Sequence, residues 1–133
     1  MSYEESLQSI SLDADASLGI YTGVPGQPGS AVPNNGMQYR FVKITGAHQV
    51  GLSVLATNTM VGIMQNKPQV PGQDATVAIS GVSNVVAGAA IAAGAICASD
   101  TTGRAVTDAV NGKVVALGIA AGAGELVPVL FLR

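Results

Sequence analysis

Residues Val61–Val106 read VGIMQNKPQVPGQDATVAISGVSNVVAGAAIAAGAICASDTTGRAV, and this block decides the fold. It breaks into short β-branched runs separated by Gly, Pro and Asp turns. In Ala75–Gly81, Val77 and Ile79 point one way while Thr76, Ala78 and Ser80 point the other, the period of a strand. Ala95–Ala98 and Arg104–Thr107 flank Ser99-Asp100-Thr101-Thr102-Gly103, a hairpin signal in which Gly103 is free to take a positive φ. From Ala75 to Ser99 there is no Asp, Glu, Lys, Arg or His. Such a stretch can pack and present a surface, but it holds no acid–base groups. A binding or structural module follows more readily than an enzyme.

Working outward, further strands are expected at Tyr39–Ile44, Val50–Leu55, Met60–Met64, Val114–Ile119 and Leu126–Leu132. Asn58 and Thr59 mark a turn, and Asn66–Gly72 a loop, because each proline there removes a ladder donor. Ala87–Ala93 is ambiguous. Its alanines permit a helix, but Gly88 and Gly94 limit it to about two turns. A weak echo relates Val61–Ile63 and Thr76–Ile79 to Leu117–Ile119 and Pro128–Phe131, either as two related hairpins of one barrel or as coincidence in a Gly-rich chain. The fold class is mainly β: a single small barrel or sandwich, with a β-tulip-like form admitted, and at most one short helix.

Met1–Gly36 reads differently, with Glu4, Glu5, Asp13 and Asp15 followed by the Pro/Gly-rich loop Val24–Gly36. A division follows into an N-terminal arm at residues 1–36 and a β-rich domain at 37–133. The arm is either a mobile tail or a segment that orders against a neighbouring subunit. In the second case Leu7, Ile10, Leu12, Leu18, Ile20 and Tyr21 are its apolar contacts with that neighbour.

At 133 residues the chain is of single-domain size. A net charge of -2 with six Lys and Arg gives no basic patch, which argues against direct nucleic-acid binding. With 17 Gly, no Trp, two Phe and three Tyr, each side chain buries little area, and association is favoured as a source of stability. The acidic N-terminus lacks the features of a secretory signal, and Val82–Ala98 is short and Ala/Gly-rich for a membrane span. Cytoplasmic synthesis is expected. His48 is the single histidine and Cys97 the single cysteine. His48 reads as a solvated turn residue without partners for general-base work, and Cys97 as a small buried hydrophobe. Neither builds a metal site, and no cofactor motif is present. Asp100 and Asp108 are expected in turns, facing solvent.

Several pieces, in order and spacing, resemble the capsid cement or head-decoration proteins of tailed bacteriophages. They are Tyr39–Lys43, Val61–Pro68, Gly81–Ser83, Val86–Gly94, Ser99-Asp100 with Gly103–Val106, Gly118–Ala120, Gly124-Glu125 and Val127–Leu130. The likeness spans about Tyr39 to Arg133 and leaves the arm uncovered. It implies a small β-rich protein, commonly a homotrimer, on the outer surface of an expanded icosahedral head. There it clamps adjacent major capsid protein subunits, after residence in the host cytoplasm during assembly. No catalytic, cofactor or metal residues carry over. A carbohydrate- or receptor-binding β module on a virion surface is the alternative, and it would call for exposed aromatic residues.

Overall fold

The structure, a computed structural model, describes residues 8–15, 18, 38–55, 60–66 and 72–132. Among them are ten strands: β1 (Gln8–Ala14), β2 (Phe41–Gly46), β3 (Gln49–Leu52), β4 (Met60–Met64), β5 (Asp74–Ser80), β6 (Val82–Val86), β7 (Ile96–Ser99), β8 (Ala105–Thr107), β9 (Val114–Ala116) and β10 (Leu126–Phe131). The mainly β reading holds, and no helix is found among the described residues. Ala87–Ala93 forms isolated bridges instead, Ala87 to Ala105 and Ile91 to Ala120. The backbone N–H of Ile91 is taken by Ala120 O and that of Gly94 by Ala116 O, with one local turn from Ala95 N–H to Ala92 O, so the segment is held mainly by chain that faces it.

Strands β1, β3, β2, β4 and β5 close into a barrel in that order. The seam is β1, antiparallel to β5 from Gln8–Ser80 to Asp13–Asp74 and parallel to β3 at Asp13–Gln49 and Ala14–Val50. Here the structure departs from the division at residue 36. The segment set apart as an arm supplies the strand that completes the barrel. The physical reason is its period of two: Leu12 and Ala14 share one face, and Ala14 and Leu18 are fully buried in the barrel core with Val42, Val50, Met64 and Val77. The Pro/Gly loop that suggested an independent arm lies outside the described residues.

The other five strands form a second sheet in the order β6-β10-β9-β7-β8. Of these, β6 is a strand that the sequence pattern does not announce. Val82–Val86 runs antiparallel to β10, with Leu126 opposite Val86 and Leu130 opposite Val82. The sheet curls. Ala87, immediately after β6, pairs with Ala105 in β8, and Gly88 N–H donates to Ala105 O at 2.7 Å, so the two edges meet around a core. That core contains Val85, Cys97, Ala105, Val114, Ala116, Val127 and Val129, and also Phe41 and Ile63 from the barrel. Alternate residues of β2 and β4 thus face different cores. Val42 and Met64 point into the barrel, while Phe41 and Ile63 point into the sheet. Gly62 keeps this shared wall thin, since a side chain there would strike the carbonyl of Ala78.

Candidate interaction surface

Among the described residues, His48 and Cys97 lie far apart in the fold. His48 sits exposed in the β2–β3 turn with φ 53°, and its carbonyl accepts from Asp13 N–H at 2.7 Å. Cys97 is fully buried in the second core, its Sγ 3.6 Å from Ala95 O, and burial pushes its thiol pKa up. No grouping of three or more His, Cys, Asp or Glu able to hold a metal occurs among the described residues.

A dense polar cluster lies at the β7–β8 turn. Asp100, expected to face solvent, is instead the hub of that turn. Its Oδ1 accepts from Thr102 N–H at 2.8 Å, Thr102 Oγ1 at 3.1 Å and Arg104 N–H at 2.9 Å, and its Oδ2 lies 3.3 Å from Arg104 Nε. Burial works to raise the Asp100 pKa, but the hydrogen bonds from Thr102 and Arg104, with the Arg104 charge, outweigh it and hold the carboxyl below its ordinary range. Asp108 does accept from a neighbouring turn, at Val110 and Asn111 N–H, each 3.0 Å. The tip of the β7–β8 turn grips the barrel: Gly103 O accepts from Phe41 N–H, and Arg40 Nη1 donates to Thr102 O at 2.9 Å. Gly103 has φ 74°, and a Cβ there would lie 2.5 Å from Leu52 Cδ1. Arg40 Nε is buried with no hydrogen-bond partner, and burial, then proximity to Arg104, lowers the Arg40 pKa against the pull of Asp100. The cluster is a joint between barrel and sheet.

The feature with the reach of a functional site is the outer face of the second sheet. Cross-strand registers place Val82, Leu130, Val115 and Ile96 in one row across β6, β10, β9 and β7. The next row holds Asn84, Pro128 and Leu117, whose N–H donates to Pro128 O at 2.8 Å. A third pairs Val86 with Leu126. Leu117 and Leu126 are each 50% exposed, and Ile119 beside them is 72% exposed. Asn84 is the one polar side chain in these rows, and none is charged. Val82, Val86, Ile96, Val115 and Leu130 are half-buried, so the exposed apolar surface of these rows is carried by Leu117, Leu126 and Pro128. A signal for it lay in the sequence: Leu126–Phe131 is apolar at both parities, which marks a strand covered on two sides.

Of the residues expected to contact a neighbour, Leu18 is buried in the barrel core and Leu12 packs against it, while Ile10 is 38% exposed beside them. Leu7, Ile20 and Tyr21 lie outside the described residues.

No family model and no curated protein matches this chain. Among solved structures the fold is similar to the head fiber gp8.5 N base of bacteriophage phi29, with a TM-score of 0.66 over 95% of this chain and 96% of that one, at 17% identity.

Proposed function

We propose that this chain is a structural protein of a phage virion that docks on the outer surface of the expanded head. There it stabilises the shell by clamping adjacent major capsid protein subunits. The observation that carries the reading is the uncharged apolar face of the second sheet, on a fold similar to that of a phage head fiber base. Apolar surface left exposed by the monomer becomes stabilising when a partner covers it, at about 25 cal/mol per Å². A ligand that binds only the closed shell shifts the shell's opening equilibrium by linkage. In this reading the protein spends assembly in the host cytoplasm, assembles as a homotrimer, and resides on the virion.

The described aromatic residues favour docking over sugar binding. Phe41 is buried, and Tyr39 and Phe131 are half-buried against the same core, so no described aromatic ring stands fully exposed for stacking on a sugar. The test mixes purified protein with expanded, undecorated heads. Added density on the outside, with heads opening at a higher temperature, supports the reading. Heads that stay bare, or open at the same temperature when coated, defeat it.

A further inference from the structure

We infer that the joint between barrel and sheet is also a binding site, which takes a single carboxylate group between the guanidinium groups of Arg40 and Arg104. The β7–β8 turn brings the two side chains together. Gly103 lies so close to the barrel that a Cβ there would stand 3.3 Å from Arg40 Cβ. Phe41 N–H donates to Gly103 O at 2.8 Å, and Met64 N–H to Arg40 O at 3.0 Å, so the backbone around the pair is fixed. Thr102 links the side chains themselves: its carbonyl accepts from Arg40 Nη1 at 2.9 Å and its Oγ1 from Arg104 Nε at 3.0 Å.

Positive charge and donors are both in excess there. Among the described residues, Asp100 is the one carboxylate whose charge acts on Arg40, and its oxygens are taken up by Thr102 and Arg104 within its own turn. Two guanidinium groups thus face one carboxylate, which leaves one positive charge over. Arg40 Nη2 and Arg104 Nη1 and Nη2 donate to no acceptor among the described residues, and Arg40 Nε is buried without one. A half-buried cation with idle donors is costly, and a nearby anion offsets that cost. The Arg104 side chain is 32% exposed, so the open end of the pair meets solvent.

The ligand class follows from charge and shape. A monoanion neutralises the excess, whereas a phosphate dianion overshoots it and sets a second negative charge beside Asp100. The planar guanidinium fork matches the two oxygens of a carboxylate. That group comes either from an Asp or Glu side chain of a docking partner or from a small free acid.

The experiment follows the Arg40 and Arg104 Nε–H resonances of the isotope-labelled full chain while acetate replaces chloride at a constant ionic strength of about 0.2 M. Burial shields Arg40 Nε–H from exchange with water, which keeps it observable. Both resonances should shift and saturate with acetate, and inorganic phosphate should bind more weakly. R104Q should weaken acetate binding by about tenfold, and R104K, which keeps the charge but not the fork, by less. K113Q removes a charge from exposed Lys113, which is bonded to Cys97 O and outside the joint, and should change nothing. Wild-type resonances that fail to saturate overturn the inference, whether or not the variants fold, and leave the virion role standing. Tighter binding of phosphate than of acetate overturns the carboxylate assignment. Binding to expanded, undecorated heads separates the sources. A loss with R104Q but not with K113Q gives the carboxylate to the shell. Equal binding by both, with acetate still saturating the wild type, gives it to a free acid. Wild type that never binds heads defeats the virion role alone.

Discussion

The barrel and the second sheet are built from the same short strands, yet their outer surfaces differ in kind. On the barrel, Ser11 of β1 stands opposite Thr76 of β5, and Asp13 faces both Asp74 and Gln49. Those positions meet water. On the sheet, the equivalent outward positions are Val82, Leu130, Val115 and Ile96. The barrel strands thus show polar outward positions beside exposed Ile10 and Ile44, while the sheet's outward positions are apolar apart from Asn84 in the rows described. A strand that alternates is satisfied by its own chain, and a strand that does not alternate requires a second cover.

The largest expected effect tests whether the two regions are separable. Phe41→Ala empties the wall that both cores share, and should cost about 3–5 kcal/mol. Urea unfolding followed by two probes should then show one shifted transition; two separate transitions would mean that the cores unfold independently. Next comes the joint. Asp100→Asn should cost about 1–3 kcal/mol by weakening the acceptor that holds Thr102 and Arg104. The sign with pH comes from the depressed carboxyl. Its contribution is complete above the unfolded value near 3.9 and is lost as pH falls through the lower folded value. Thermal melts of wild type should fall more steeply below about pH 4 than those of Asp100→Asn. Asp108, also depressed by its hydrogen bonds with Asn111, leaves a residual slope in both.

A third measurement compares solvent access. A thiol reagent should modify Cys97 slowly in the native protein and rapidly in urea, since the sulfur is buried and its pKa is raised. Fast native labelling would place an opening in the sheet's core. The smallest effect sharpens the contrast directly. Leu126→Thr, on the sheet's exposed face, should leave the stability of the free protein within about 0.5 kcal/mol. Ser11→Val, opposite Thr76 on the barrel, should change it by no more than about 0.2–1 kcal/mol. A larger loss from Leu126→Thr would show that the outer face already serves the monomer.

Much of this was legible where the physics is local. The Ser99–Gly103 turn, with its positive φ, and the buried Cys97 can be read from neighbouring residues alone. The role of Asp100 was equally local, because an Asp two residues before a backbone N–H closes an Asx turn, and its solvated reading missed that. The strand β1 was obscured on two counts: its partner β5 is distant in sequence, and the Pro/Gly loop between them signals separation. β6 was obscured because Ser83 and Asn84 interrupt its valines and the stretch after it is Ala- and Gly-rich. The outer face was half legible. Apolar residues at both parities of Leu126–Phe131 announce a second cover, but only the registers with β6 and β9 show that they line up.

The seam that closes the barrel has a consequence for time. Gln8 meets Ser80 across 72 residues of chain, with Ser80 Oγ donating to Gln8 Oε1 at 3.1 Å. On a ribosome the first strand emerges early and must wait for its partner, at about 5–20 residues per second, for several seconds. During that wait β1 has only the short parallel register with β3, Asp13–Gln49 and Ala14–Val50, and the entropy of the long loop to β5 must be overcome before the main seam forms. The short hairpins β2–β3 and β7–β8 can form first, and barrel closure then sets the pace of folding.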